Sequence, residues 1–115
     1  MAIKATGRSG KEYLFDKFEI SSSINVSNCI YIYAKEVPNS FEPIYIGMTT
    51  RTFAERYAEH DYDGINECVG FHEANCILIH SHGNTILCGY TENDLKNIEE
   101  DLLNKYNTPC NTQNN

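Results

Sequence analysis

The sequence predicts an α+β fold, in which a small antiparallel or mixed β-sheet is flanked by helices and extended by an extra N-terminal strand. Strand-like apolar stretches occur at 28–34, 44–47 and 76–80. Two segments of helical periodicity, 53–60 and the stretch after Thr91, each begin with the spacing of a capping box. Because the apolar faces of these helices must be buried, we expect the helices to pack on the sheet.

The chain of 115 residues is long enough for one domain with its own core. We divide it into an N-terminal arm and strand extension, residues 1–27, and a main module, residues 28–115. Residues 1–10 are polar with two glycines, and we expect them to be loose. In residues 11–20 the apolar positions change phase halfway, which predicts a strand with a bulge or bend.

The next two strands are predicted to place two tyrosines on one face of the sheet. In residues 28–34 the aliphatic side chains alternate with Tyr31 and a second tyrosine, so each kind occupies its own face. The proline-containing loop 35–43 lets the following strand return antiparallel. In residues 44–47 Tyr45 faces away from both isoleucines. If the aliphatic faces coincide, the two tyrosines lie on the same side.

The helix predicted at 53–60 carries Arg56 and His60 one turn apart, on the stripe that also holds Phe53 and Tyr57. A guanidinium and an imidazole are unusual on a stripe that faces a core. Two interpretations are open. Either the pair belongs to a functional site, or Arg56 extends along the aromatic rings and His60 stabilises the negative C-terminal end of the helix.

The second half of the chain is predicted to contain an acidic loop, a further strand and the last helix. Residues 61–75 are predicted to form an acidic loop, in which 61–64 lacks the third acid and the distal glutamate of a calcium loop and is interpreted as a solvated turn. Residues 76–80 predict a strand buried on both faces, and residues 82–88 predict a turn followed by a short apolar piece. The last helix is predicted to span 91–109.

One acid of the last helix lies on its apolar stripe. That stripe consists of Leu95, Ile98, Leu102, Leu103 and Tyr106. Glu99 falls within it, whereas Glu100 and Asp101 are predicted to face solvent. A buried carboxylate is costly without a cation or a hydrogen-bond network. Glu99 is therefore either a ligand or one half of a structural pair with Arg56 or a lysine.

Composition limits the partners that can be expected. The formal net charge of −7 weakens general attraction to nucleic acid, although Lys4, Arg8 and Lys11 make the N-terminal arm basic. No apolar run is long enough for a membrane span, and the N-terminus lacks the apolar core of a signal peptide. We therefore expect a cytoplasmic protein with no membrane contact.

The five cysteines are odd in number and widely spaced, so we expect all of them to be free thiols without zinc. The zinc-type ligands within a short span are Cys68, His72, Cys76, His80, His82 and Cys88. No C-x-x-C pair occurs among them, which argues against a structural zinc site. For His80, on a strand predicted to be buried, a hydrogen-bonded role is expected instead.

An ordered set of residues across 29–111 resembles the GIY-YIG nuclease superfamily, and in particular its small stand-alone bacterial and phage-type members. The set begins with Cys29-Ile30-Tyr31 and Tyr45-Ile46-Gly47 and continues with Arg56, His60, Glu99, Pro109 and Asn111. Cys29 stands where the family motif has its first glycine. Because that glycine is a small strand residue and not a reacting group, we expect the change to be tolerated.

The resemblance implies catalytic roles for five side chains. Tyr31 would hold or deprotonate the attacking water, and Tyr45 would hydrogen-bond the water or the phosphate. Arg56 would stabilise charge on the phosphoryl oxygens, and His60 would assist proton transfer. Glu99 would bind one divalent cation, Mg²⁺ or Mn²⁺, since a carboxylate on a rigid helix suits a hard cation.

The resemblance also implies supporting residues and a substrate. Asn111 would support the site, and Gly47, Thr49, Arg51 and Lys11 would contact the substrate. The substrate would be DNA, single-stranded or branched forms included. Because the protein is small, its substrate specificity is expected to depend on the form of the DNA, on a homodimer or on a protein partner.

Two other functions are open. The acidity of the chain favours a catalytically silent relative that keeps the fold as a nucleic-acid or protein-binding module. A zinc-binding interaction module is the third interpretation, and stoichiometric zinc in the purified protein would reveal it.

Overall fold

A computed structural model of the chain describes residues 2–81 and 89–111. Within these residues the strands are β1 (Ala2–Thr6), β2 (Glu12–Phe18), β3 (Ser27–Val37), β4 (Ser40–Thr52) and β5 (Cys76–Ser81). The helices are α1 (Phe53–Asp63), α2 (Ile65–Phe71) and α3 (Glu92–Leu103). The strands form one antiparallel sheet in the order β1-β2-β5-β3-β4, which confirms the predicted α+β class.

Helices cover both faces of the sheet and divide the core into two layers. On one face α1 and α2 pack over Tyr31, Tyr33 and Tyr45. On the other face α3 packs its buried leucines and isoleucine over the aliphatic residues of β3 and β4, among them Ile32 and Ile46. The alternation of β3 thus places the tyrosine layer under α1 and α2, and the aliphatic layer under α3.

The predicted face of Ile44 is wrong. Ile44 is buried in the tyrosine layer, together with Tyr45. The pairing of β3 with β4 passes from Tyr33 opposite Tyr45 to Ala34 opposite Pro43, so Ile44 is the extra residue of a bulge. A bulge breaks the two-residue period, which is why simple alternation fails here.

The N-terminal region is more ordered than its composition predicts. Residues 2–6, expected to be loose, form β1 and pair over their whole length with residues 12–16 of β2. The predicted bulge in β2 is also wrong, because its pairing with β1 and β5 is regular. Tyr13 and Phe15 face α3, whereas Phe18 joins the tyrosine layer. The change of phase therefore reflects a strand that contributes side chains to both layers of the core.

Residues 61–75 do not form the predicted loop. The helix α1 continues to Asp63, so residues 61–64 are not a solvated turn. Gly64, with φ of 84°, separates α1 from the short helix α2. Ile65, Cys68 and Val69 provide a buried helical face for α2 that the surrounding acids conceal in the sequence.

The helix α3 ends at Leu103, six residues before the predicted end at Pro109. The tail after it turns back to the edge strand β4, where the amide of Cys110 donates a 3.1 Å hydrogen bond to the carbonyl of Ile44. The turn and apolar piece predicted in 82–88 lie outside the described residues. Among the described helices, none has the length and apolar character required to cross a membrane.

The expectation of five free thiols is wrong. Cys68 of α2 and Cys110 of the tail form a disulfide, with Cα atoms 5.9 Å apart. Within the described residues Cys29 and Cys76 are free and buried. The pair was not predictable from spacing because 42 residues separate the two cysteines. Only the return of the tail over α2 brings them together.

Candidate active site

Tyr31 lies at the centre of the tyrosine layer and is fully buried. Its ring crosses the backbone of Gly47, which is its partner on β4. A Cβ atom at position 47 would lie 2.5 Å from the Tyr31 hydroxyl oxygen, well inside van der Waals contact. Gly47 therefore fixes where the phenol group sits, and its role here is steric.

We expect Gly47→Ala to lower the free energy of unfolding by about 1–3 kcal/mol, because the added methyl overpacks the tyrosine layer. Gly70→Ala is the matched control. No atom lies within 4 Å of a Cβ at position 70, in the exposed last turn of α2. That variant should be neutral or stabilising by about 0.5–1 kcal/mol. Urea denaturation of both variants measures this, and equal effects would contradict the steric role of Gly47.

A chain of hydrogen bonds links Tyr31, His60 and Asp63. The Tyr31 hydroxyl lies 2.7 Å from Nε2 of His60, and Nδ1 of His60 lies 3.0 Å from the Asp63 carboxylate. His60 is fully buried. Burial lowers its pKa, partly offset by the hydrogen bond to Asp63, so the ring is neutral at pH 7.

The hydrogen-bond partners set the tautomer of His60. An ionised carboxylate only accepts hydrogen bonds, so Nδ1–H donates to Asp63. In a neutral ring Nε2 is then an acceptor, and the Tyr31 hydroxyl donates to it. His60 is thus positioned to take a proton from Tyr31. The Asp63 carboxylate is held in turn by the backbone amide of Ile65, at 3.0 Å.

Tyr45 and Arg56 border the Tyr31 hydroxyl. The rings of Tyr31 and Tyr45 share one face, with centroids 6.2 Å apart. Burial raises the pKa of both phenols, and the charge of Arg56 partly counteracts this at each of them. Arg56 is therefore close enough to stabilise negative charge at either oxygen.

Arg56 is not engaged with Glu99 but with a neighbour on its own helix. Nη1 of Arg56 donates a 2.8 Å hydrogen bond to Glu59. Glu59 also accepts hydrogen bonds from Arg51, at 2.6 and 2.7 Å. Hydrogen bonds from Arg51 and Arg56 lower the pKa of Glu59 to about 2. One carboxylate thus holds the two guanidinium groups nearest the tyrosine layer.

Glu99 is half-buried on α3 and acts on the same group of residues electrostatically. Burial raises its pKa, and the charges of Arg56 and Lys96 partly offset that rise. Glu99 also contributes to the raised pKa of Tyr45. The helix α3 packs on the aliphatic face of the sheet, so the effect of Glu99 on the pKa of Tyr45 is an electrostatic one.

The structure tests one of the two interpretations of Glu99, the structural ion pair. Arg56 pairs with Glu59, and Lys96 pairs with Glu92. Within residues 2–81 and 89–111, no basic side chain forms an ion pair with Glu99. The structural pair with Arg56 is therefore not formed. The interpretation of Glu99 as a metal ligand stays a prediction.

The other predicted residues divide into those near the site and one that is remote. The side-chain amide of Asn111 pairs with both backbone groups of Ile46, at 2.8 and 2.9 Å, and so supports the strand between the two motif residues Tyr45 and Gly47. Thr49 follows Gly47 by two residues on the same face of β4. Arg51 lies where the register of β3 and β4 shifts, and its side chain pairs with Glu59 of α1.

Lys11 is the remote residue. It lies in the turn just before β2 and lines a groove of about 800 Å³ between the hairpin of β1 and β2 and the helix α3. In that groove Asp101 accepts hydrogen bonds from the Tyr13 hydroxyl and the Ser9 hydroxyl, at 2.8 and 2.6 Å, although it remains partly exposed. His80 is hydrogen-bonded as expected, to the carbonyl of Leu14 and the hydroxyl of Tyr90.

The sequence analysis missed Glu59 and Asp63. Both lie three residues after a predicted site residue on α1, Glu59 after Arg56 and Asp63 after His60, which is the spacing that brings side chains together on a helix. This signal was present in the sequence. The predicted helix end at His60 concealed Asp63, whereas Glu59 lay inside the predicted helix, three residues after Arg56.

Comparison with known proteins adds no assignment. No family model matches the sequence, and neither a curated protein nor a solved structure is significantly similar to it. The resemblance to a nuclease superfamily therefore rests on the spacing of the motif residues alone.

Proposed function

We propose that the protein is a metal-dependent endonuclease that hydrolyses DNA phosphodiester bonds, of the kind its motif resembles. The observation that carries the proposal is the 2.7 Å contact between the Tyr31 hydroxyl and a neutral His60, with Arg56 beside it. A phenol, a base and a guanidinium that converge in this way can activate water and stabilise a phosphoryl group.

In this mechanism the proton of the attacking water passes through Tyr31. Burial raises the pKa of Tyr31, which makes a free phenolate unfavourable. The Tyr31 oxygen instead accepts the water proton as its own proton moves to Nε2 of His60. The Asp63 carboxylate stabilises the imidazolium that forms.

Arg56 and Glu99 complete the charge balance around the phosphate. A guanidinium has five N–H donors, so Arg56 can bind a phosphoryl oxygen while one donor remains on Glu59. A Mg²⁺ or Mn²⁺ ion held by Glu99 would supply Lewis-acid charge to the phosphate and the leaving oxygen when bound. Arg51, which shares Glu59 with Arg56, would contact a neighbouring phosphate.

A catalytically silent binding module is the second candidate. It is favoured by the net charge of −7 and by Glu59, which neutralises the two guanidiniums nearest the tyrosines. Such a module needs no proton acceptor for Tyr31 and no half-buried carboxylate at Glu99. DNA cleavage, and its loss in Tyr31→Phe, therefore distinguish the two candidates.

Cleavage of plasmid, single-stranded and branched DNA, each with Mg²⁺ or Mn²⁺ and with EDTA, tests the proposal. We expect metal-dependent cleavage of at least one substrate, and a loss of about 10²-fold or more in Tyr31→Phe. Tyr62→Phe is the control, since Tyr62 lies on the outer face of α1 and is 93% exposed. Binding without cleavage of any substrate would favour the silent module.

A further inference from the structure

Cys68, His72 and Cys110 form a cluster of metal-ligating side chains apart from the candidate active site. One ligand atom from each, the two Sγ atoms and a ring nitrogen, lie within 4.8 Å of one another. Cys68 and His72 are one helical turn apart at the end of α2, and Cys110 reaches them from the tail. Sequence spacing concealed the cluster because its third member is distant along the chain.

We propose that these three residues bind Zn²⁺ when the disulfide is reduced, with the fourth coordination position open to solvent. Tetrahedral zinc, with Zn–S of about 2.3 Å and Zn–N of about 2.0 Å, places its ligand atoms roughly 3.5–4 Å apart. Once the disulfide bond is reduced, the two sulfur atoms need only move apart to reach that geometry. His72 is partly exposed, so water has access to the remaining position.

The charges also suit zinc. Two thiolates cancel the charge of Zn²⁺, and His72 contributes a neutral ligand, so the bound cluster carries no net charge next to the buried side chains of α2. Mg²⁺ and Mn²⁺ prefer oxygen ligands. This cluster is therefore distinct in its chemistry from the carboxylate site at Glu99.

The step that opens the cluster is an exchange with a dithiol reductant. The S–S bond takes up two electrons and two protons, and the reductant leaves as its own disulfide. Zinc then displaces both thiol protons to solvent. Disulfide and zinc are thus alternative cross-links between α2 and the tail. This inference does not depend on nuclease activity.

The test uses the reduced full-length protein with added Zn²⁺, followed by gel filtration and metal analysis. We expect about one zinc ion per chain, and a loss of nearly all of it in Cys110→Ser and His72→Ala. Cys29→Ser is the control, because Cys29 is a free, buried thiol that does not belong to the group of ligands Cys68, His72 and Cys110. Substitution with Co²⁺ should give the absorption of a tetrahedral thiolate complex.

A measurement on the unaltered chain guards against variants that fail to fold. Zinc should slow alkylation of Cys68 and Cys110 at least tenfold, and leave the rates at Cys29 and Cys76 unchanged, as mapped by mass spectrometry. The proposal is overturned if the reduced protein, with both thiols shown to be free, retains no zinc after gel filtration. It is also overturned if zinc protects no cysteine selectively.

Discussion

Glu99→Gln is expected to abolish metal-dependent cleavage while leaving the fold at least as stable as before. The carboxylate has no ion-pair partner among the described residues, and burial raises its pKa. A carboxyl group whose pKa is higher in the folded protein than in the unfolded chain destabilises the fold when it is ionised. For Glu99 this cost therefore appears as the pH rises above the ordinary pKa of 4.5. The neutral amide removes that cost.

The pH dependence of this change in stability provides the control. The stability gained by Glu99→Gln should be present at pH 7 and disappear below about pH 4, where the wild-type carboxyl is protonated as well. Thermal melts with and without Mn²⁺ measure both properties, and Mn²⁺ should raise the melting temperature of wild type alone. Glu100→Gln, one residue along on the exposed face, is the matched variant. A destabilisation by about 3–5 kcal/mol would instead indicate a buried ion pair.

His60→Gln is expected to lower the turnover rate by about 10²–10⁴-fold, because it removes the proton acceptor of Tyr31. In wild type, the rate should fall on acidification through the pKa of His60, which burial places below its ordinary value of 6.5. Single-turnover rates between pH 4.5 and 8 measure this profile. An acid limb that persists unchanged in His60→Gln would assign the titration to another group.

Asp63→Asn provides a second readout for the same proton path. Asp63 raises the pKa of His60 by hydrogen bonding and by its charge, so its removal should move the acid limb to lower pH while the rate falls. Asp61→Asn is the control, since Asp61 accepts a hydrogen bond from Asn66, whereas the carboxylate that His60 binds is that of Asp63. A purely structural role for Asp63 would lower the yield of folded protein without moving the pH profile.

The parts of the site that the sequence predicts are those with a local signal. The shared face of Tyr31 and Tyr45 follows from strand alternation, and the position of Glu99 follows from helical periodicity. The disulfide of Cys68 with Cys110 depends on the path of the tail, which no local pattern records. Ile44 was misplaced for a related reason, because a bulge depends on the partner strand.

Composition misled the prediction where a tertiary contact overrides it. Residues 2–6 are polar and short, yet β2 offers them a partner along their whole length. The acidic stretch 61–75 conceals α2 because only three of its apolar side chains are needed to cover the tyrosine layer. In both cases the ordering free energy comes from packing against another element, and local propensity is a weak guide to it.

The contact of the tail with β4 also protects the protein from self-association. An edge strand presents unpaired N–H and C=O groups on which another chain can add a strand. Here the backbone of Cys110 and the side-chain amide of Asn111 take up those groups at Ile44 and Ile46. This stretch of the edge is closed to edge-to-edge pairing, so a second copy of the chain would have to dock elsewhere. Loss of residues 108–111 would reopen a hydrophobic strand edge to aggregation.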